Sequence, residues 1–202
     1  MADYLLREDA PLTKDQWDSI DKTVVNAVKP ILVGRRFLPL FGPLGAGAFV
    51  VPNGYLSDGP DVKLTKLKLL FQDFTYDWRD IQYFEENRLP FDTGKVYDAA
   101  VKLAADEDRL IFYGDAETCA DGILTVEGKL EYQRKDWQAN SAYDDVVAAL
   151  AVLRQNYHFG NYVMVVSPAL YAALNKVYKD TPYLDSERIE KLGVKIYQSA
   201  VL

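Results

Sequence analysis

Few residues in this 202-residue chain have the type and spacing to do covalent chemistry. The one histidine, His158, follows a helix end beside Gly160, which is where a loop or helix C-terminal residue belongs. A general base needs an orienting partner, and a metal needs further ligands close by. The one cysteine, Cys119, lies far away in sequence and, between Glu117 and Asp121, has no clear activating neighbour. The run Gly42-Pro43-Leu44-Gly45-Ala46-Gly47 lacks the Gly-Lys-Ser/Thr ending of a phosphate loop and reads as a turn. Carboxylates gather at Glu85-Glu86 near Arg88 and at Asp106-Glu107-Asp108 near Arg109. A di-iron bundle would require Glu-x-x-His pairs, which this sequence does not contain, so both groups read as solvated helix faces or interface ion pairs. Asp144-Asp145, in the first turn of a helix, complements the helix dipole. Trp78, set in Tyr76-Asp77-Trp78-Arg79-Asp80, could stack on a flat ligand or on a neighbouring subunit if exposed; the plainer reading is a core or interface tryptophan. No nucleophile–base pair and no metal set emerges, and the chain reads as a non-enzyme.

The elements that carry these residues follow from periodicity. Thr13 with Gln16 forms a capping box, and Trp17, Ile20, Val24, Ala27, Val28 and Ile31 recur at helical spacing until Pro30 ends or kinks the helix. Residues 37–41 read as a short extended piece. Strands are expected between 48 and 70, broken at Pro52-Asn53-Gly54 and Ser57-Asp58-Gly59-Pro60, with a half-buried or ribbon strand in the alternating run Val62 to Leu69. Phe71 to Tyr83 is rich in aromatics and reads as strand or mixed structure. From Asp92, a candidate N-cap, a long helix carries Val96, Ala99, Ala100, Leu103, Ala104, Leu110 and Ile111 on one face and stops at Gly114. Then come loop and short strand over 115–140, a helix capped by Ser141 with Asp144, and a buried strand at Tyr162 to Val166. A helix led by Ser167-Pro168, a short helix from Ser186 to Leu192 and a last strand at Val194 to Tyr197 complete the order. This is an α+β chain of two lobes, the second spanning about 115–202.

Composition narrows the partners. With 23 Lys and Arg against 30 Asp and Glu, the net charge is −7, which disfavours nucleic acid; Lys63, Lys66 and Lys68 alternate with leucines as a solvated strand face. No run of about 18 apolar residues is present and no apolar leader follows Met1, so neither a membrane span nor a secretory signal is expected. A single cysteine fits a reducing cytoplasm. The 14 Tyr, 9 Phe and 3 Trp are residue types favoured at protein interfaces.

Several motifs, in order, resemble the encapsulin family of linocin- or bacteriocin-like shell proteins. They are Leu6-Arg7 through Ala10-Pro11-Leu12-Thr13 with Trp17 and Ile20-Asp21; Leu32-Val33-Gly34-Arg35-Arg36-Phe37 with Gly42-Pro43-Leu44-Gly45; and Asp73-Phe74 with Trp78-Arg79-Asp80. Glu107-Asp108 with Ile111-Phe112, Gly114 and Gly122-Ile123 follow, then Ser167-Pro168 with Leu170-Tyr171 and Lys179-Asp180-Thr181, and finally Gln198-Ser199 with Val201-Leu202. The resemblance implies the HK97 capsid fold. Residues 1–47 would be the N-terminal arm and first part of the peripheral domain, 48–72 the extended loop that pairs with a neighbour, 73–121 the peripheral domain with its spine helix, and 122–202 the axial domain.

It further implies icosahedral self-assembly around cargo proteins that bear a short C-terminal targeting peptide, ferritin-like iron-storage proteins or dye-decolourising peroxidases. By matching motif, Arg35 and Leu40, with Phe37 and Pro39, would form the N-terminal half of the cargo groove. Some members bind flavin near the tryptophan that matches Trp78, so FMN stacking at Trp78 and Arg79 is implied although no cofactor is required. The extended loop is shorter than in similar members, and the sequence ends at Leu202 where the family continues with further strands; a second polypeptide supplying them is one expectation. Two other readings stand beside the shell subunit: a flavin-binding or redox-associated module using Trp78, and a phage-type major capsid protein of the same fold.

Overall fold

The structure is a computed structural model that describes residues 6–53, 63–137, 142–177 and 182–202. The chain divides into two compact units, Met1–Leu32 with Leu69–Glu107, and Val33–Lys68 with Asp108–Leu202.

In the first unit, α1 spans Lys14–Val28. The capping box forms as its residue types dictate: the Thr13 hydroxyl accepts the Gln16 N–H at 3.3 Å, and the Gln16 side chain accepts the Thr13 N–H at 2.7 Å. Ile20 and Ala27 are buried on one stripe, and Val25 on the opposite side is exposed. The helix stops before Pro30, which has no N–H to continue it. The segment 71–83, expected as strand or mixed structure, is irregular to Asp77 and then helical: α2 spans Trp78–Glu86. Aromatic residues bias toward strand only where a sheet receives them. Here Asp77 caps the helix by accepting the Arg79 N–H at 3.0 Å, and Ile81 is its buried residue. An aromatic chain, Phe74–Tyr76–Phe91–Phe84, with centroid separations of 5.9, 4.8 and 6.1 Å, ties the segment before α2, α2 itself and the segment after it together. Helix α3 spans Gly94–Tyr113, one turn-position later than an Asp92 cap would give; Asp92 accepts the Gly94 N–H at 2.8 Å just ahead of it. Its Val96, Ala99, Ala100 and Ala104 are buried.

The second unit starts with a 3-10 turn, Gly34–Arg36, closed by bonds from Arg36 N to Val33 O and from Leu38 N to Gly34 O, both 3.0 Å. Phe37 and Leu38 therefore belong to a turn rather than to an extended piece, because these tight bonds curl the chain directly after Val33. Strands β1, Val50–Asn53, and β2, Lys63–Lys66, pair antiparallel with Val50 opposite Lys66. The alternating pattern reaches Leu69, yet β2 ends at Lys66, with one further bond from Leu67 N to Phe49 O at 2.8 Å. Leu64 is 59% exposed and Leu67, just past the strand, 45%, so of the two readings, half-buried strand or ribbon, the structure has the two-stranded ribbon.

Beyond α3, Gly114–Asp115 (β3) and Ala120–Asp121 (β4) form a small hairpin. Then follow α4 (Ala142–Gln155), β5 (Tyr162–Val166), α5 (Pro168–Leu174), α6 (Asp185–Glu190) and β6 (Val194–Gln198). Pro168 occupies the first turn of α5, where its missing N–H costs nothing. Strands β5 and β6 are parallel in the register Tyr162–Val194 to Val166–Gln198. Trp137, Leu150, Val166, Leu174, Ile189 and Val194 close the core of this unit. Ser141, Val62 and Lys179-Asp180-Thr181 lie outside the described residues.

Candidate functional site

The 33–41 segment is the part of the second unit on which the candidate docking residues fall. Arg35 is exposed on the 3-10 turn, Pro39 is exposed beyond it, and Leu40 is 71% exposed. Phe37 differs: it is half-buried, stacked on Tyr197 of β6 at 6.1 Å and inclined to Phe112 of α3 at 6.5 Å. Arg36 carries its guanidinium 6.0 Å from the Tyr197 ring. The turn is thus anchored through one aromatic residue and presents its neighbours outward. Immediately downstream, Phe41, Leu44, Gly45, Ala48, Val51, Thr65 and Leu67 line an open apolar groove of about 510 Å³.

Under the turn lies Asp108. The expected solvated helix face or interface ion pair at Asp106-Glu107-Asp108 does not hold for Asp108, which has no exposed surface. Its Oδ2 accepts the Val33 N–H at 2.9 Å, its Oδ1 accepts the Gly34 N–H at 3.0 Å, and the Ser199 hydroxyl lies 3.5 Å from Oδ2. The physical reason is helical spacing. Ala100, Ala104, Asp108 and Phe112 follow one another at four-residue steps on one face, and all four are buried. A carboxylate on that stripe is forced inward and takes backbone donors in place of water.

Asp145 is a second correction. It sits in the first turn of α4, but its role is not confined to the dipole, for it is 3% exposed. It accepts the Lys135 N–H at 2.7 Å, the Trp137 indole N–H at 2.9 Å and the Tyr132 hydroxyl at 3.2 Å. Burial pushes this carboxyl up, but those bonds, with the nearby Lys135 charge, outweigh it and hold it below the usual carboxylate range. Burial, then the carboxylate beside it, push the Tyr132 phenol up. Tyr132, Trp137 and Asp145, with Arg134, line part of a cavity of about 310 Å³ whose apolar lining includes Leu150, Leu153 and Met164.

The other candidates stay apart. Trp78 is 64% exposed at the start of α2, which excludes the core reading, and the Arg79 guanidinium stands 5.4 Å from its ring. An exposed indole beside a guanidinium suits a flat anionic ring system only as an open surface, because the cation already lies near the face that would stack. His158 is an exposed loop residue whose carbonyl accepts the Tyr162 hydroxyl at 2.8 Å. Cys119 is an exposed free thiol in the β3–β4 hairpin. Among the described residues no three His, Cys, Asp or Glu side chains converge as a metal site, and no helix is long and apolar enough to cross a membrane.

What this arrangement offers is surface rather than reaction: an anchored turn, an apolar groove and an exposed ribbon. Comparison with known families agrees. The family model for Linocin_M18, described as an encapsulating protein for peroxidase, matches residues 2–202. The chain belongs to this encapsulin family. A type 1 encapsulin shell protein, EncA of Myxococcus xanthus, is 33% identical over 219 residues, covering 98% of this chain and 76% of that protein. A diheme-cytochrome-encapsulin shell fusion protein of Kuenenia stuttgartiensis is 32% identical over 209 residues; the match covers 94% of this chain and 58% of the fusion. The crystal structure of a virus-like particle from Pyrococcus furiosus superposes with a TM-score of 0.66 at 16% identity, over 92% of this chain and 75% of that one. The fold is thus the HK97-like capsid fold, in a family of shell-forming proteins and not of enzymes.

Proposed function

We propose that this encapsulin subunit assembles with copies of itself into a closed cytoplasmic compartment and docks cargo through the exposed part of the 33–41 segment. In this reading Arg35, Pro39 and Leu40 contact a short C-terminal targeting peptide, and Phe37 forms the fixed floor beneath them. The observation that carries it is the family match across residues 2–202, together with a leucine that is 71% exposed next to an apolar groove. An exposed aliphatic side chain and an exposed cation on one short segment suit a peptide with one apolar anchor and an acidic or carboxylate group. Redox proteins are the favoured cargo: the family description names peroxidase, and the Kuenenia relative is fused to a diheme cytochrome. Ferritin-like iron-storage proteins are the other class. Residues 48–72 would serve as the extended loop between neighbours, 1–47 and 73–121 as arm and peripheral domain, and 122–202 as the axial domain.

Negative-stain microscopy of the chain co-expressed with a dye-decolourising peroxidase tests both levels. Large closed particles with peroxidase inside are expected. A species of single-chain size at every concentration would overturn the shell reading, and empty particles would overturn the cargo assignment.

The exposed Trp78 with Arg79 beside it favours a second, subordinate reading, in which flavin mononucleotide stacks at this surface. Titration with FMN should then quench tryptophan fluorescence in the native chain and not in Trp78→Phe; equal quenching in both would remove the reading.

A further inference from the structure

Three stretches distant in sequence meet at one buried carboxylate: the 33–38 turn, the last turns of α3 and the residue that follows β6. Asp108 grips the turn with both oxygens, one on each of two consecutive N–H groups. A two-point grip fixes the rotation of a peptide plane as well as its position. Gly34 leaves room for the Ile111 side chain beside this grip, since a Cβ there would lie 2.6 Å from Ile111 Cδ1 and 3.1 Å from Ile111 Cγ2. On the other side Ser199, 2% exposed, has its own N–H bonded to Val166 O at 3.0 Å, so it is fixed to the β5–β6 sheet while its hydroxyl faces Asp108. The turn built on Val33 and Gly34 then places Phe37 against Tyr197 of that sheet.

A buried carboxylate is an expensive means of filling space, because an apolar side chain of similar volume would pack at no desolvation cost. Its distinctive contribution is register. We infer that Asp108 is a positioning residue for cargo docking: it holds the 33–38 turn in register with β6, so that Arg35, Pro39 and Leu40 are presented together. This inference rests on the docking reading above. Asp108 touches no cargo; it acts through Val33, Gly34 and Phe37.

The test uses assembled shells loaded with a fluorescent protein bearing the C-terminal peptide of a dye-decolourising peroxidase. It compares the native chain with Asp108→Asn, Arg35→Ala and Leu40→Ala, and follows hydrogen–deuterium exchange by mass spectrometry. In Asp108→Asn one of the two acceptor oxygens becomes an –NH2 donor set against a backbone N–H, and a single carbonyl acceptor remains. Exchange over 33–38 should rise about tenfold or more, as expected for a displaced buried hydrogen bond, and loading should fall by a similar factor. Exchange over 162–166 should not change, a distinction that a purely global stabiliser would not show.

Uniformly raised exchange, or unchanged exchange over 33–38, overturns the inference. So does normal loading of Asp108→Asn when Arg35→Ala or Leu40→Ala has lost it. If Arg35→Ala and Leu40→Ala load normally, the docking reading itself fails, and the positioning role falls with it. Should Asp108→Asn not assemble, Gly34→Ala displaces the turn with the carboxylate intact. It should lose loading, and Ile111→Ala in the same chain should restore it by removing the clash; no restoration overturns the inference.

Discussion

The Asp145 carboxylate accepts the indole N–H of Trp137 at 2.9 Å, eight residues upstream, and the same oxygen accepts the Lys135 N–H at 2.7 Å. One side chain in the first turn of α4 therefore ties down the irregular segment that leads to it, and the buried Trp137 seals the core beneath. Asp145→Ala would leave three donors short of a partner and should cost about 3 kcal/mol or more in urea unfolding, since removing one side of a buried charged hydrogen bond strands the other. Asp145→Asn should cost less.

Acid sensitivity should change too. The folded carboxyl titrates below its unfolded value, so its contribution is complete above the unfolded pKa of about 3.9 and is lost as pH falls through the lower folded value. The native chain should thus lose stability steeply below about pH 4, and Asp145→Asn should flatten that limb. Equal slopes in the two chains would disprove the coupling.

The β3–β4 hairpin predicts a contrast between two glycines. Gly122 lies so close to Gly114 N and to the Tyr113 and Phe112 backbone that a Cβ has no space, and the atoms in its way are main chain, which cannot swing aside. Gly128 has open space around it and is demanding only through its φ of +80°. Gly122→Ala should therefore destabilise by several kcal/mol and reduce soluble yield, whereas Gly128→Ala should cost about 1 kcal/mol. Thermal unfolding of both variants checks the order; similar midpoints would contradict it.

Much of this fold was legible in the sequence because the local signals agreed. Thr13 with Gln16, Pro168 and Gly114 are each tied to one backbone geometry, and the structure uses each as its chemistry dictates. The misread parts depend on partners outside the periodic pattern. Asp108 looks like a surface charge because its oxygens are satisfied by Val33 and Gly34, far away in sequence, and Asp145 does so because its partners Trp137 and Lys135, though only a few residues upstream, lie in an irregular segment without periodicity. A usable clue for Asp108 was its place on the Ala100–Ala104–Phe112 stripe. Helix α2 was hidden for a different reason: its aromatic residues favour strand in isolation, and only the Asp77 cap argued for a helix. Of the candidate docking residues, the exposure of Arg35, Pro39 and Leu40 was open to sequence reasoning, but the stacking of Phe37 on Tyr197 joins positions 160 residues apart and was not.

Leu40 separates docking from stability. At 71% exposure it has little buried contact to lose, so Leu40→Asp should change the unfolding free energy by no more than about 0.5 kcal/mol. Loading of a peroxidase-peptide fusion into shells should nonetheless fall strongly, since an apolar anchor becomes a charge. Normal loading by Leu40→Asp would remove this residue from the docking surface.

The β1–β2 ribbon carries the last prediction. Val50 and Leu64 on the two short strands are 43% and 59% exposed, and Phe49 and Leu67 just beside them 74% and 45%; among the described residues the strands form a two-stranded sheet, with one further bond from Lys66 N to Thr118 O at 3.3 Å. A ribbon of this kind is marginal alone, and exposed aliphatics in sequence-adjacent strands mark a contact surface. Burying a leucine is worth about 2 kcal/mol, and a closed shell repeats the contact in every copy. Leu64→Glu should thus leave the circular dichroism and unfolding midpoint of the unassembled chain little changed, because Leu64 is mostly exposed, while Leu64→Met should assemble as the native chain does. Size-exclusion chromatography and electron microscopy should show Leu64→Glu as small species at concentrations where the native chain forms particles. Intact particles from Leu64→Glu would show that the ribbon faces solvent in the assembly and that subunit contacts lie elsewhere.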